Sequence, residues 1–318
     1  GDASGWSDMR VERAWPRVGY PCMNLLLGMG TNRTLRLASL GDAKKVRGVV
    51  GANLDALEAI LAWNAAHGVR LFRVGSQVVP FASHEGFPYH WQAEHGKRMQ
   101  ELGAVARASG QRLSIHPGQY VCPGSPDAGV VGRSVAELRY AADVVELLDP
   151  SGGVVVVHAG GAYGDKPAAA ERFVDALRGE AGVLRHLALE NDERIWTAGE
   201  VIGLASRLGV AAIVDTLHHR LNPGLHTVEE AVRAAAPTWT RGRRQKLHIS
   251  SQDPAKVKGA HAYGITAEDW AELLGATRGL DVDVMVEAKG KEQALRMLGI
   301  GEIQPLPEGS VAAAGADD

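Results

Sequence analysis

Seven side chains of the types that bind divalent metals stand at or just beyond the ends of short apolar segments. They are His116, His158, Glu190, Asp215, His218, His248 and Glu287. Imidazole nitrogens and carboxylate oxygens are common ligands of divalent ions, and a central carboxylate can bridge two ions about 3.5–4 Å apart in hydrolytic sites. Three carboxylates together with several imidazoles therefore favour a metallo-hydrolase.

Each of these positions has an ordinary structural explanation when it is taken alone. Asp215 and His218 could serve adjacent metals, but an Asp-x-x-His after a strand is a weak signal. Glu190 could bridge two ions or form a buried ion pair with an arginine. Glu287 ends the apolar run VMVE, where a carboxylate needs a compensating partner such as a cation. The strong signal is the joint occurrence of such residues at the ends of at least six segments.

Two further residues extend this set. Lys246 lies two positions before His248, so in a strand both side chains point to the same face. Lys246 has three open interpretations: it pairs with a carboxylate, contacts a substrate phosphate, or is carbamylated and acts as a further carboxylate. His261 follows in the segment GAHAY, and with His218 it could form a third metal site.

The segments that carry these residues alternate with helical patterns. The apolar runs are VGYPC (18–22), LFRVGSQ (71–77), RLSIHPGQY (112–120), VVVVHAGG (154–161), LALEND (187–192), AIVDTLHH (212–219), KLHISSQD (246–253) and VMVEAKGKE (284–292). Near-continuous apolar runs are typical of parallel strands buried on both faces. Eight alternations of strand and helix predict a single (β/α)₈ TIM barrel, with its active site at the C-terminal ends of the strands.

One barrel domain accounts for residues 16–300, since no break in composition divides them. Residues 1–15 are expected to form a flexible N-terminal extension. Residues 301–318 are acidic and rich in Pro, Gly and Ala, so we expect a disordered tail.

Composition and charge limit the class of protein. The chain has 318 residues, is 45% apolar and has no run of the roughly 18–20 apolar residues that a membrane span requires. Two cysteines and no apolar leader predict a cytoplasmic protein, and we expect a monomer without an obligate protein partner. The net charge of −3 argues mildly against nucleic-acid binding, yet basic residues cluster in three places. These are Arg33–Arg47, Arg241–Lys246 and the pair Lys289 and Lys291.

Several motifs resemble those of the UV damage endonucleases, relatives of the class IV abasic-site endonucleases in the xylose-isomerase-like barrel superfamily. They are GYPCMN (19–24), TNRTLRL (31–37), PFASH (80–84), SIHPGQY (114–120), GSPD (124–127), HAGGAYGDK (158–166), LALENDER (187–194), VDTLHHRLNP (214–223), SSQDP…GAHA (250–262) and VMVEAKGKEQAL (284–295). The resemblance covers residues 18–295, nearly the whole chain.

The resemblance implies an endonuclease that nicks DNA immediately 5′ of cyclobutane dimers and 6-4 photoproducts, with abasic sites as a further substrate, leaving a 3′-hydroxyl and a 5′-phosphate. It implies up to three divalent ions, with manganese expected. The first ion would be held by His116, His158 and Glu190, the second by Glu190, Asp215, His248 and Glu287, and the third by His218 and His261. His84 would be a further ligand or a phosphate contact, and Glu190, Glu287, Lys246 and His84 would carry the catalysis.

Damaged double-stranded DNA is the partner that this function requires. A crosslinked pyrimidine pair stacks and pairs poorly, so flipping it out of the duplex costs less than flipping normal bases. We hypothesise that Gln119 and Tyr120 wedge into the gap and that Tyr20 stacks on a flipped base, although Tyr20 could equally be a packing residue at the barrel mouth. The remaining predicted DNA contacts are Asn24, Arg243, Arg244 and Lys289.

Three other functions remain open from the sequence. An abasic-site endonuclease without photoproduct activity would keep the fold and change the substrate. A metal-dependent sugar isomerase or epimerase would need a small closed pocket and no basic stretch at Arg241–Lys246. A metal-stabilised DNA-binding module would bind lesions without turnover.

Overall fold

The computed structural model describes residues 16–310, within which eight parallel strands close a barrel and two short strands form a hairpin. The first barrel strand is β1 Arg17–Pro21, and the hairpin strands that follow it are β2 Met23–Asn24 and β3 Met29–Gly30. The other barrel strands are β4 Leu71–Val74, β5 Arg112–Ile115, β6 Val154–His158, β7 Leu187–Glu190, β8 Ala211–Asp215, β9 Gln245–Ile249 and β10 Val282–Val286. The order around the barrel is β1-β10-β9-β8-β7-β6-β5-β4, and β1 pairs with β4 to close it. The predicted (β/α)₈ barrel is confirmed, and all eight predicted runs contain a strand.

Helices cover the outside of the barrel. They are α1 Ala43–Ala66, α2 Trp91–Ala108, α3 Ala128–Leu148, α4 Lys166–Leu177, α5 Ala181–Leu184, α6 Ala198–Leu208, α7 Thr216–Leu221, α8 Val228–Ala235, α9 Ala267–Ala276 and α10 Glu292–Met297. Local chemistry fixes several of their ends. Thr197 and Glu200 form a capping box at the start of α6, and Gly209 ends that helix in the left-handed conformation.

The inside of the barrel is filled by side chains rather than left as a channel. Because side chains alternate across a strand, Val154 and Val156 share the inner face of β6 with His158. They pack with Ala188, Ala211, Ile213 and Trp239 in a cluster separate from the larger core between the sheet and the helices. The indole Nε1 of Trp239 donates to the carbonyl of Ala212 at 2.9 Å, so this ring closes the interior from the N-terminal end.

An ion cluster occupies the same N-terminal end. The carboxylate of Asp283, whose side chain is fully buried, accepts from Arg17 Nε at 2.7 Å, from Arg112 Nη1 at 3.1 Å and from Arg244 Nε at 3.1 Å. These residues lie on or beside β1, β5, β9 and β10. The cluster therefore ties strands from opposite sides of the barrel together below its apolar interior.

The described residues include the first part of the predicted C-terminal tail. Residues 1–15 and 311–318 lie outside the described residues, so the expected extension and most of the expected tail are not tested. Ile303 is buried in the core, and the carbonyl of Gln304 accepts from Gln293 Nε2 at 3.0 Å. The chain thus stays attached to the barrel at least to residue 304, further than the predicted boundary at 300.

Cysteine burial and helix length can be described for the same region. Cys22 is buried and Cys122 is half-buried. Across residues 16–310, the structure contains no helix with the length and apolar character of a membrane span.

Candidate metal centre

Six neighbouring strands each deliver one candidate ligand to the C-terminal mouth of the barrel. His158, Glu190 and Asp215 are the last residues of β6, β7 and β8. His248 is the fourth residue of β9, while His116 and Glu287 directly follow β5 and β10. Because parallel strands end together, consecutive strands place these side chains side by side around one axis.

The ligand atoms form two overlapping clusters. His116, His158 and Glu190 form the first, and Glu190, Asp215, His248 and Glu287 form the second, with the ligand atoms of each within 4.8 Å of one another. These are the groupings expected for the first and second ions. The structure therefore brings together every residue predicted for those two ions.

Glu190 belongs to both clusters through different oxygens. Its Oε1 lies 3.2 Å from His116 Nε2 and 3.0 Å from His158 Nε2. Its Oε2 contacts His248 Nδ1, which also lies 3.0 Å from Glu287 Oε1. One buried carboxylate thus faces two neighbouring sites, as a bridging ligand must.

The electrostatics of this centre suit bound cations. Glu190, Asp215 and Glu287 are all buried, and burial raises the pKa of Asp215 to about 6 against the lowering effect of His218. Burial alone would lower the pKa of His218, but Asp215, Glu190 and Glu287 raise it to about 9. Within residues 16–310, Asp215 Oδ2 is buried without a hydrogen-bond partner, and Glu287 Oε1 lies 3.0 Å from His248 Nδ1. Divalent cations would satisfy the Asp215 oxygen and offset the negative charge of the three buried carboxylates.

A cavity of about 440 Å³ opens above the two clusters. His116, His158, Glu190 and Glu287 reach its surface, whereas Asp215 and His248 lie fully buried beneath it. His218 and His261, predicted for a third ion, both line this cavity but belong to neither cluster found in the described part of the chain. His218 Nδ1 lies 3.0 Å from the carbonyl oxygen of Asn191.

Lys246 lies below the ligands, on the inner face of β9. Its side chain is fully buried, and in the described region its Nζ has no hydrogen-bond partner. Burial, with Arg73 and Arg112 nearby, holds the pKa of Lys246 well below its usual range. A lowered pKa favours the carbamylated interpretation, because carbamylation requires the neutral amine, whereas the burial of Lys246 below the ligands separates it from a phosphate in the cavity.

The structure corrects two predicted DNA contacts, Tyr20 and Asn24. Tyr20 is fully buried, packs edge-on against Trp63 and Phe72, and donates its hydroxyl to Asn64 Oδ1 at 2.6 Å. Asn24 is also buried and donates to the Tyr20 hydroxyl at 2.9 Å. The alternation of β1 turns Tyr20 outward against α1, so neither residue can meet a flipped base in this arrangement.

Arg243 and Arg244 are corrected as well. Both precede β9, so they lie at the N-terminal end of the barrel, opposite the mouth. Arg244 joins the Asp283 cluster, and the guanidinium of Arg243 stacks 5.6 Å from the ring centroid of Trp239. A basic run that leads into a strand cannot reach a site at the strand's other end.

The other predicted contacts lie in or beside the cavity, except His84, which does not line it. Gln119 and Lys289 line the cavity, and Tyr120 stands beside it with 59% of its surface exposed. His84 is exposed on the loop after β4, where its Nδ1 accepts from Gly86 N at 2.9 Å, and it is in neither ligand cluster of the described chain.

Sequence reasoning missed Arg73, the third residue of β4. It is almost completely buried, lines the cavity and donates from Nη1 to Glu287 Oε2 at 2.9 Å. Its Nη2 lies 3.5 Å from His248 Nε2. The available signal was a lone arginine inside the apolar run LFRV, because a buried charge requires a partner.

Known proteins resemble this chain over most of its length. A family model described as UV-endonuclease UvdE matches residues 16–310. A UV DNA damage endonuclease of Clostridium perfringens is 30% identical over 87% of this chain and 68% of its own length. A UV DNA damage endonuclease of Bacillus pumilus is 31% identical over 78% of this chain and 79% of its own.

Solved structures agree with this result. The crystal structure of SacUVDE superposes with a TM-score of 0.83 at 30% identity, covering 90% of this chain and all of that one. Endonuclease IV from Thermus thermophilus gives a TM-score of 0.55 at 18% identity, over 89% of this chain and 97% of its own. At that identity the second likeness shows the barrel fold alone.

Proposed function

The chain belongs to the UV-endonuclease UvdE family, and we propose that it is a metal-dependent DNA repair endonuclease that incises the strand immediately 5′ of UV photoproducts. Its substrates are duplexes with cyclobutane dimers or 6-4 photoproducts, and abasic sites are a further candidate. Hydrolysis of the phosphodiester leaves a 3′-hydroxyl and a 5′-phosphate.

One observation carries the metal dependence. Two ligand clusters share Glu190, and the combined set brings three buried carboxylates close together. A carboxylate shared in this way can hold two ions about 3.5–4 Å apart, the spacing at which a metal pair stabilises the attacking and leaving oxygens of a phosphodiester. We propose manganese as the physiological ion and His218 with His261 as the ligands of a third.

The residues of the chain divide the remaining tasks. Divalent ions held by the two clusters would activate a water molecule and offset charge on the phosphate oxygens. Glu190, Asp215 and Glu287 fix the positions of those ions, and Arg73 holds Glu287 in place. Lys289 lines the cavity and supplies a positive charge for a DNA phosphate. His84, exposed on the loop after β4, stays a candidate phosphate contact.

Lesion recognition is assigned to the loop after β5. Gln119 and Tyr120 would enter the gap that opens when the damaged pair leaves the stack, and the exposure of Tyr120 supports this role. Replacing both residues with alanine should weaken binding to damaged duplex while the metal content stays unchanged. Unaltered binding by that double variant would count against the wedge.

The decisive experiment is nicking of supercoiled plasmid, either UV-irradiated or untreated, with Mn²⁺ or with EDTA. We expect conversion to the open circle only for irradiated plasmid with Mn²⁺. A plasmid with abasic sites, tested in parallel, separates photoproduct activity from abasic-site activity. Failure to nick irradiated plasmid, by folded protein with bound metal, would overturn the proposal.

A further inference from the structure

The loop after β9 presents an exposed apolar residue between two lysines. This loop, residues 250–264, begins beside His248 and carries His261. At its tip Lys256 and Lys258 are exposed, and Val257 has 81% of its surface exposed. A single exposed valine is common on protein surfaces, so the conformation of the loop and the charges around the valine decide whether this tip is a binding element.

Hydrogen bonds hold this tip in one conformation. The carbonyl of Val257 accepts from Gln252 Nε2 at 2.9 Å and from Ala260 N at 3.1 Å. Gln252 Oε1 accepts from Gly259 N at 2.8 Å, and Asp253 N donates to the Ala260 carbonyl at 2.8 Å. A tip fixed in this way loses little conformational entropy when it binds a partner.

The strand order places this tip across the cavity from the predicted lesion wedge. In the closed order, β9 and β5 are four strands apart in either direction, so their C-terminal loops lie on opposite sides of the mouth. Tyr120, on the β5 loop, and Val257 are both prominently exposed. The candidate metal ligands lie between the two loops.

A further lysine lies on the same side of the mouth as the tip. Lys289, on the neighbouring loop after β10, lines the cavity. The two loops are joined, because Lys289 N donates to the Ala262 carbonyl at 3.1 Å and Gly290 N donates to the Tyr263 carbonyl at 2.8 Å. Of the acidic residues nearby, Asp253 Oδ1 accepts from Ala255 N within the loop. Glu193 lies beside Gly259.

We propose that the tip formed by Lys256, Val257 and Lys258 is a second DNA-contacting element of this protein, resting on the endonuclease function proposed above. Lys256 and Lys258 bind phosphates of the duplex next to the lesion, where each contact releases counterions. Val257 packs against the sugars and base edges in the groove between those phosphates. The duplex is then held from two sides of the mouth, by this tip and by the loop with Gln119 and Tyr120.

The test combines two variants with a matched control. The variants are Lys256→Ala with Lys258→Ala, and Val257→Ser. The control is Lys97→Ala with Val105→Ser, which alters an exposed lysine and an exposed valine on α2, away from the mouth. Fluorescence anisotropy with an undamaged labelled duplex over a salt series measures binding, and incision of a duplex with one thymine dimer, with Mn²⁺, measures kcat and KM.

For the double lysine variant, the plot of log binding constant against log salt concentration should be shallower by about 1.8, since each lost phosphate contact removes about 0.9. Val257→Ser should raise the KM for the thymine-dimer duplex about threefold to tenfold, as partial burial of a valine predicts, with kcat unchanged. A salt slope and a KM equal to those of the control variant would overturn the proposal.

The two proposals can fail separately. If the wild-type protein does not incise the thymine-dimer duplex, the endonuclease function falls, and the salt slopes on undamaged duplex still decide whether the tip binds DNA. If the wild type incises and the tip variants behave like the control, only the second contact is lost.

Discussion

Arg73 places a guanidinium directly beside the candidate metal ligands. It pairs with Glu287 and also lies beside His248. Breaking a buried ion pair by removing one partner leaves an uncompensated charge, which is far more damaging than breaking an exposed pair. The importance of Arg73 for folding should therefore depend on whether metal ions are also present to balance the carboxylates.

Arg73→Met should lower the free energy of unfolding of the metal-free protein by about 3–5 kcal/mol. Saturating Mn²⁺ should recover part of this loss, because bound ions supply the missing positive charge. Urea unfolding with and without Mn²⁺ measures both values. Arg98→Met, which breaks an exposed pair with Asp55, is the control and should change stability by less than about 1 kcal/mol in either condition. An equal loss for Arg73→Met with and without Mn²⁺ would contradict this account.

At the residue scale, the sequence predicts ligands better than DNA contacts. The ligands follow from residue type and from position at a strand end, and the structure brings six of them together. Tyr20 also stands at a strand end, yet its direction depends on which face of β1 turns toward α1. Because the period of a strand is two, a shift of one residue exchanges the inside and the outside of the barrel. The sequence motif around Tyr20 does not show whether its side chain points into the barrel or outward against α1.

At the element scale, α10 is joined to the short hairpin of β2 and β3 by one buried carboxyl. Glu292, the first residue of α10, accepts from Leu26 N at 2.6 Å. Burial raises the pKa of Glu292 to about 7, partly opposed by hydrogen bonds from backbone amides. The carboxyl is thus more easily protonated in the folded protein than in the unfolded chain, where its pKa is near 4.5.

This shift predicts a pH-dependent contribution to stability. Between about pH 4.5 and pH 7 the unfolded chain releases the proton of Glu292 while the folded protein retains it, so this group's contribution falls as the pH rises and levels off above pH 7. Glu292→Gln removes the titration, so its stability relative to wild type should improve by on the order of 2–3 kcal/mol from pH 4.5 to pH 8.

Urea unfolding of both proteins across this pH range measures the difference. Glu302→Gln, at an exposed carboxyl, is the control for a simple change of net charge. A constant difference between Glu292→Gln and wild type at every pH would refute the assignment.

Most helices and strands could be predicted from the sequence, and those that could not are too short to show a periodic pattern. All eight barrel strands and the long amphipathic helices follow from apolar periodicity. The start of α1 at Ala43 is fixed by Asp42, whose side chain accepts from Lys45 N. The β2–β3 hairpin and the four-residue α5 are too short to show a period. Such elements depend on contacts with the barrel rather than on their own pattern.

At the scale of the whole molecule, the two ends of the barrel have separate tasks. The mouth carries the candidate metal centre, and the opposite end carries the cluster of Asp283 with its arginines. From the sequence alone, the run Arg241–Lys246 could be read as a DNA-binding patch, since charge clustering gives no information about which end of a barrel it occupies. Because the run precedes β9 rather than following it, it lies at the N-terminal end of the barrel.

Asp283→Asn should destabilise the closed barrel by about 3–5 kcal/mol, because the buried Arg112 loses its counter-charge. Metal content and incision at low temperature should persist, since the centre lies at the other end. Thermal unfolding and hydrogen exchange of the β1 amides measure the effect. Asp281→Asn, at the exposed partner of Arg17, is the matched control and should cost less than about 1 kcal/mol. Loss of metal binding by folded Asp283→Asn would show that the two ends are not independent.

The pairing of β1 with β10 has a consequence for folding during synthesis on the ribosome. Gly19 faces Met285, so the seam joins segments more than 260 residues apart. A ribosome adding roughly 5–20 residues per second needs on the order of ten to fifty seconds between them. During that interval the free edge of β1 offers unpaired amides and carbonyls to any passing strand. This edge is therefore open to aggregation until β10 has emerged, and a chain truncated before Val282 lacks the strand that closes the barrel.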